Sequence, residues 1–428
     1  MTDRAFTISY QNFLFFWIVF FILLLVSSPT LISFAPIPLS WLVLLFGVFL
    51  FFIFIPVNFK LSKEFFYFSI IIVVFLFYTS LTSILRGDIN KRILVQTTNS
   101  IGYLSLFIFF ITPYIAKFPN PKEIIYKIFA YAVVLHSLLV VLFFIFPELR
   151  FAIEPIFKLS DFGSGTLRQG WRSVGLGIHV AESISVTHGI GVFIVSRMVI
   201  KNHIKVSSGV LLNLIIFGSL VLMNRTGLVV GIIGFFMGIL GNNPYAKRPR
   251  KRYLLSFFFI SLFFFFFLIF LSKNYSIKAL DRTLEAYYFF QEHGEFGTST
   301  TDAILGRFLF IPDVPVLFGE GTYGIGQNIP MDRGSDIGYV RLFSGGGIVA
   351  LFFWFLIPIS FVIASHKKLE SRSLARFLAL VWIVVNIKVL WVMPPGGASV
   401  AVAILFVLKY LERREISFKN KDIRSYEA

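Results

Sequence analysis

Apolar residues occur along this chain in long runs that are separated by short polar segments. Each run has about 16–24 residues, close to the roughly 20 that an α-helix needs to cross a bilayer. Strands of alternating polarity, the pattern of a membrane barrel, are absent. The pattern therefore predicts an all-α polytopic integral membrane protein with about 12 transmembrane helices. The predicted spans are 13–33, 39–57, 65–85, 94–115, 124–146, 179–199, 207–223, 226–241, 253–272, 344–365, 374–392 and 397–411.

Composition agrees with that prediction. The chain has 428 residues, of which 57% are hydrophobic, and it contains 56 phenylalanines and no cysteine. A soluble core could not bury this much apolar surface, so we interpret residues 1–428 as a single multi-pass membrane domain. Disulfides and thiolate chemistry are excluded. The first apolar run lacks a small-residue cleavage site, and we expect it to be retained as a span.

The formal net charge of +17 is best explained by membrane topology. Lysine and arginine are concentrated in the segments that follow every second predicted span, among them NNPYAKRPRKR at 242–252. Basic loops are typical of the cytoplasmic side. We therefore place both termini in the cytoplasm and expect no nucleic acid partner.

Two long segments fall on the opposite side of the predicted membrane, at 147–178 and 273–343. The second has six Lys or Arg against nine Asp or Glu, a net charge of −3. Long polar loops without the basic bias are where function is often found. Within 275–294 the apolar positions recur at helical spacing and end at a glycine, which predicts a helix on the membrane surface. Those positions are Ile277, Leu280, Leu284 and Tyr287.

Arg225 lies in LMNRTGLVVG, where only two or three polar residues separate two apolar runs. Its guanidinium could reach the external headgroups along its apolar stem. Alternatively, it is a cation held at a tight turn and facing inward, which an ionisable group at membrane depth makes a functional candidate. Glycines follow it at three- or four-residue spacing and predict close helix packing. They are Gly227, Gly231, Gly234, Gly238 and Gly241.

A second arginine-containing segment, LRQGWRSVGLGIH, places Arg168 and Arg172 among glycines just before a predicted span. Glycines allow backbone N–H groups to face a ligand, and arginine matches phosphate oxygens in pairs. An ordinary basic loop near anionic lipid explains the same residues. His179, Glu182 and His188 follow. Their spacing suits a metal, but too few ligands are present, so we favour packed histidines, with His179 an alternative secondary phosphate contact.

The third segment, GSDIGYVRLFSGGGIVAL, places Asp336 just before a helix predicted to begin around 344. Tyr339 would share a helix face with Asp336, and Arg341 lies deeper. An acidic residue near a helix N-terminus is stabilised by the helix dipole alone. That explanation does not account for Arg341 or for the three consecutive glycines.

These three segments, in their order along the chain, resemble the O-antigen polymerases (Wzy) of the O-antigen polymerase/ligase superfamily of membrane glycosyltransferases. SDIGYVRLFSGGGIVAL resembles their acid–aromatic–glycine signature, WRSVGLGIHVAES the segment before the sixth helix, and LVLMNRTGLVVGI the arginine turn between the seventh and eighth helices. In the related ligases a histidine stands where Asp336 stands here. Asn224 replaces a frequent serine, and three glycines replace the usual one.

The resemblance implies a bacterial inner (plasma) membrane enzyme that joins undecaprenyl-pyrophosphate-linked oligosaccharide repeat units on the periplasmic face. It implies no metal and no cofactor, and suggests a flippase and a chain-length regulator as pathway partners beside membrane lipids. Asp336 would be the general base, with Tyr339 orienting it or stacking on a sugar. Arginines would stabilise the leaving pyrophosphate. They are Arg172 and Arg225 first, then Arg341, then Arg307 and Arg168.

Three alternatives remain open from the sequence. An O-antigen ligase shares the fold and the donor, although the histidine expected at 336 is missing. A flippase or transporter of lipid-linked oligosaccharides would perform no chemistry. Such proteins often have repeated halves and interrupted helices, and no repeat is visible here. A structural membrane partner in a polysaccharide assembly complex is the third alternative.

Overall fold

The computed structural model describes residues 14–24, 63–85, 111–116, 118–157, 161–173, 175–177, 182–240, 247–275, 277–295, 297–298, 314–321, 337–364, 369–387 and 397–426, with single positions 12, 102 and 104. Within these ranges the regular structure is helical and contains no strand. The all-α prediction is therefore confirmed for the described residues.

Helices alternate with short connections along the described chain. They are α1 (Leu14–Leu24), α2 (Lys63–Leu85), α3 (Thr112–Ile115), α4 (Pro121–Ile145), α5 (Pro147–Ala152), α6 (Asp161–Arg168), α7 (Glu182–Ile200), α8 (Val206–Met223), α9 (Arg225–Leu240), α10 (Lys247–Tyr275), α11 (Lys278–His293), α12 (Gly338–Ala364), α13 (Leu369–Val385) and α14 (Gly397–Tyr426).

Six of these helices are long and apolar enough to cross a membrane, namely α2, α4, α7, α8, α10 and α12. Helices α1 and α9 are apolar but shorter. Helices α13 and α14 overlap the predicted spans 374–392 and 397–411. The predicted span 39–57 and most of 94–115 lie outside the described residues. The total of about 12 spans, and the side on which the termini lie, stay predictions.

Contacts divide the chain into two compact units. Unit 1 comprises Met1–Val57, Gly102–Thr283 and Gly396–Ala428, and unit 2 comprises Asn58–Ile101 and Leu284–Pro395. In unit 1 the central helix is α7, which packs against α4, α8, α9 and α14. Its spanning segment is almost wholly buried by these neighbours.

Close packing of α9 on α7 depends on glycines. A methyl group added at Gly227, Gly234 or Gly238 would come within 2.6–2.8 Å of backbone atoms of α7. Gly231 faces the other way, where a methyl group would meet the Leu220 side chain at 2.9 Å. The predicted role of these glycines in helix approach is confirmed, and Gly241 lies outside the described residues.

In unit 2, α12 packs between α2 and α13. Aromatic rings fill this core: Phe361 lies 5.4 Å from Phe68 and 5.8 Å from Trp382, measured between ring centroids. Trp354 is fully buried beside them. The core of this unit is thus built by α12 and its two neighbours.

Helix α12 differs from its prediction in two ways. It begins at Gly338, not around 344, so the predicted 273–343 loop ends about two turns too late. It is also interrupted at Gly347, whose φ of 64° and ψ of −158° are not helical. The helix starts early because the apolar residues Val340 and Leu342 are buried in its first turns.

The helix predicted within 275–294 is confirmed as α11. Leu280 and Leu284 are buried, and Gly294 ends the helix with a φ of 73°. A left-handed glycine of this kind is a common helix end. The location of α11 on a membrane surface stays a prediction.

Candidate functional site

Asn224 forms the turn between α8 and α9 in unit 1. Its backbone is extended, and its side-chain Oδ1 accepts a hydrogen bond of 3.1 Å from the Thr226 N–H. This is an N-cap, a position at which asparagine and serine serve equally well. Asn224 therefore caps α9 as a serine would at this position.

Arg225 is the first residue of α9 and is half-buried. Its guanidinium Nη2 donates a hydrogen bond of 2.5 Å to the carbonyl oxygen of Arg282 in α11. On the same stretch of α11, the Thr283 hydroxyl donates to the Val221 carbonyl oxygen at 3.1 Å. Arg225 is therefore held against the first turns of α11, which agrees with a fixed cation rather than a freely extended side chain.

Apolar contacts support the same end of the unit. Ala279 of α11 is buried against the last turn of α8, where Leu222 and Met223 lie, and against Val140 of α4. Ile277 packs at the edge of this cluster. The α8–α9 turn that carries Arg225 is thus supported by a buried apolar cluster.

The glycine-rich segment 171–177 is fixed by Arg150, which the sequence analysis did not identify. Arg150 is completely buried, and its guanidinium donates to three carbonyl oxygens: Gly175 at 2.8 Å, Phe157 at 2.9 Å and Gly177 at 3.2 Å. Burial lowers the pKa of Arg150, and the Glu154 carboxylate acts in the opposite direction. The guanidinium of Arg150 therefore holds the backbone of this loop in place.

The same segment is also bonded to two spanning helices. The Ser173 hydroxyl donates to the Val140 carbonyl oxygen at 2.7 Å, and the Ser173 N–H donates to the Leu222 carbonyl oxygen at 3.0 Å. Leu222 lies three residues before Arg225. The structure therefore brings Arg172 and Arg225, predicted from separate motifs, to the same end of unit 1.

Beneath the loop lies a buried chain of hydrogen bonds. The Leu176 N–H donates to His136 Nε2 at 3.3 Å, so His136 carries its proton on Nδ1 and donates to His188 Nε2 at 2.8 Å. His188 then carries its proton on Nδ1, which lies 2.8 Å from the Ser219 hydroxyl. Both imidazoles are satisfied as neutral rings by this tautomer assignment.

These hydrogen bonds confirm the prediction that His188 is a packed histidine. His136 was not identified, although a histidine within an apolar span is a signal that could have found it. Gly175 lies directly on His136, because a methyl group added there would come within 2.6 Å of Nε2. The glycine is thus required for the loop to reach the bundle.

The other predicted residues of this region are placed as follows. Arg168 is exposed, and its guanidinium carbon lies 5.0 Å from the centre of the Phe151 ring. His179, Arg307 and Asp336 lie outside the described residues. No contact is therefore assigned to the predicted general base.

Tyr339 and Arg341 belong to unit 2. The Tyr339 hydroxyl donates to the Ile383 carbonyl oxygen at 2.7 Å, and its ring stacks on Phe355 with centroids 6.0 Å apart. Arg341 is buried in the first turns of α12. The described contacts of Tyr339 are thus packing contacts within α12 and with α13.

Taken together, these features define a helical protein with at least six candidate membrane-spanning helices, in which one end of unit 1 presents fixed arginines beside a glycine loop. Comparisons with models of known families, with functionally characterised proteins and with experimentally determined structures found no match to this chain.

Proposed function

We propose that this protein is a surface polysaccharide polymerase of the O-antigen polymerase type. It transfers a growing chain from undecaprenyl pyrophosphate to the terminal sugar hydroxyl of the next lipid-linked repeat unit. The hydroxyl loses a proton to Asp336 as it attacks, and the lipid pyrophosphate departs. The reaction needs no nucleotide sugar, and its site is at the periplasmic face of the bacterial inner membrane.

One observation carries the proposal. Arg172 and Arg225 come from motifs 53 positions apart in the chain (225 − 172), yet the Ser173 to Leu222 hydrogen bond holds their backbones at one end of unit 1. A departing pyrophosphate gains negative charge in the transition state. Preorganised cations stabilise that charge more than the ground state. Arg282, which is bonded to Arg225 through its carbonyl oxygen, adds a third cation to this end.

A flippase is the second candidate, because α12 is interrupted at Gly347. Interrupted spanning helices are typical of transporters, where they line the substrate path. The polymerase is favoured because the arginine motifs that come together in unit 1 supply the cations that a leaving pyrophosphate requires, whereas a flippase performs no chemistry that needs them. An O-antigen ligase would differ from both in its product, and it is disfavoured because Asp336 stands where the ligases carry a histidine.

Deletion of the gene in the source organism tests the proposed function. We expect single repeat units on their normal anchor in place of a polysaccharide ladder on a gel, with the ladder restored by the intact gene. Full-length polymer held on the lipid carrier would identify a ligase. Single lipid-linked units confined to the inner leaflet would identify a flippase.

Asp336→Asn is expected to remove the ladder while leaving the protein in the membrane. Loss of a general base costs about 10²–10⁴-fold in rate. Asp332→Asn, four positions earlier in the same segment, is the matched control and is expected to keep the ladder. Polymer length on gels, together with protein level by immunoblot, gives the measurement. A full ladder from Asp336→Asn at unchanged protein level would contradict the assigned role.

A further inference from the structure

The interruption of α12 is filled by a separate piece of chain, residues 314–321. Gly347 adopts a backbone conformation that is restricted to glycine, and Gly319 has a φ of 62°. A methyl group at Gly319 would come within 2.6–2.7 Å of the backbone of Ser344, Gly346 and Gly347. The two backbones therefore approach as closely as glycine permits.

The backbone groups that lose their helical hydrogen bonds at the interruption are each hydrogen-bonded by this segment instead. In an unbroken helix the Ile348 N–H would donate to Ser344 O, and the Val349 N–H to Gly345 O. Here Ser344 O accepts from the Glu320 N–H at 2.7 Å and Gly345 O from the Gly321 N–H at 2.8 Å. The Ile348 and Val349 N–H groups are also hydrogen-bonded by the segment.

On the donor side, the Ile348 N–H reaches Val316 O at 2.9 Å, and the Val349 N–H reaches Leu317 O at 3.4 Å. The Tyr78 hydroxyl of α2 donates to Gly346 O at 2.7 Å. Such satisfaction is what membrane depth demands, since unpaired backbone groups in hydrocarbon are costly.

The position of the pairing along α12 sets its depth. Ile348 is ten residues after Gly338 and fifteen before Ile363, the ends of the apolar span. At 1.5 Å per residue these are distances of about 15 Å and about 23 Å along the axis. Both are shorter than the roughly 30 Å of bilayer hydrocarbon, so a span with either of these ends at the membrane boundary places Ile348 within the hydrocarbon.

At this depth the segment presents apolar side chains outward. Val316, Leu317 and Phe318 are 55–59% exposed. Ile348, whose N–H is bonded to the Val316 carbonyl oxygen, is 50% exposed, and Phe352, one turn further along α12, is 58% exposed. The exposed side chains of the segment therefore adjoin an exposed residue of a spanning helix. Exposure of such an apolar surface to water is unfavourable, whereas contact with lipid is not.

We propose that residues 314–321 form a wedge inserted in the bilayer, with Val316, Leu317 and Phe318 in contact with lipid acyl chains. Residues 314–321 therefore lie within the membrane, and the polar 273–343 segment is not wholly external. Glu320 pairs nearer the start of α12 than Val316 does, so the charged end of the wedge faces the membrane boundary. This proposal is independent of the enzymatic activity.

The natural absence of cysteine makes a direct test possible. Single substitutions Val316→Cys, Leu317→Cys and Phe318→Cys, each at an exposed position, are spin-labelled in the full-length protein in lipid vesicles. Collision rates with oxygen, which concentrates in hydrocarbon, are compared with those of a water-soluble nickel chelate. Phe352→Cys is the matched helix position, and lipids labelled at known depths calibrate the scale.

We expect oxygen to exceed the nickel chelate at all three wedge positions, at a depth close to that of Phe352→Cys. Greater access by the nickel chelate would place the segment in water and overturn the proposal. Low access by both reagents would mean that another part of the chain or a second protein covers the three side chains, and would overturn it equally. Three separate positions guard against the failure of any one variant to fold.

Discussion

Replacing Gly347 by alanine is expected to destroy the broken form of α12 and to remove most of the folded protein from the membrane. Its φ of 64° and ψ of −158° fall in a region that side chains rarely adopt, at a cost of about 1–3 kcal/mol. The added methyl group would also come within 2.6 Å of the Val316 carbonyl oxygen and closer still to Leu317. These contacts are to backbone atoms, which cannot rotate away.

The expected total loss is about 3–5 kcal/mol, because steric overlap in a packed site adds to the strain. It is measured as the fall in thermal unfolding temperature of the purified protein in detergent, and as its level in membranes. Gly218→Ala in α8 is the matched control, since nothing lies within 4 Å of the added methyl group. That variant is expected to be neutral or slightly stabilising. Equal unfolding temperatures for both variants would contradict the packing of the wedge against Gly347.

Replacing Arg150 by methionine is expected to release the glycine loop that carries Arg172. The guanidinium is completely buried and satisfies the carbonyl oxygens of Gly175 and Gly177. Hydrogen bonds from a charged group contribute about 1.5–3 kcal/mol each, and a buried acceptor left unpaired is costly. We expect a destabilisation of about 3–5 kcal/mol, located in residues 171–177 rather than spread over the unit.

Hydrogen exchange followed by mass spectrometry checks that localisation. Peptides covering 171–177 should lose protection in Arg150→Met, because the Ser173 and Leu176 N–H groups lose the geometry of their bonds to Leu222 and His136. The buried helix α7 should keep its protection. Glu148→Gln, an exposed change in the same short helix, is the control and should match the unaltered protein. Unchanged exchange at 171–177 in Arg150→Met would contradict the role of Arg150 in fixing this loop.

Each of these two experiments tests a different unit of the chain. Gly347→Ala acts on α12 in unit 2, whereas Arg150→Met acts on the loop of unit 1. If the proposed polymerase function is correct, Arg150→Met should also shorten the ladder, because Arg172 no longer has a fixed backbone. Arg150 is a positioning residue in this scheme and touches no substrate.

Several features of the fold could be predicted from the sequence because they are local. Apolar runs of bilayer length predict helices wherever they occur, and six such helices are described. Glycines at helical spacing after Arg225 predicted close approach of α9 to another helix, which α7 provides. The Asn-Arg-Thr-Gly turn was predicted at its observed place because the cap and the change of direction depend on adjacent residues.

Other features depended on distant segments and could not be predicted. Arg150 stands in no motif, and its importance comes from carbonyl groups that only the folded loop presents to it. The glycine triplet signalled an exception in α12, but the sequence does not say that residues 314–321 would fill the gap. The role predicted for Tyr339, to orient Asp336 or to stack on a sugar, stays a prediction, and its hydrogen bond to Ile383 and its ring contact with Phe355 could not be predicted.

By itself, the sequence determined that this protein is helical, that its helices have membrane length, and where its arginine turns lie, since hydrophobic period and capping act over a few residues. Tertiary structure alone decided which of these residues meet. The buried backbone groups of the loop and of the broken helix needed partners, and the partners that satisfy them, Arg150, His136 and the wedge, lie tens of residues away or in another helix.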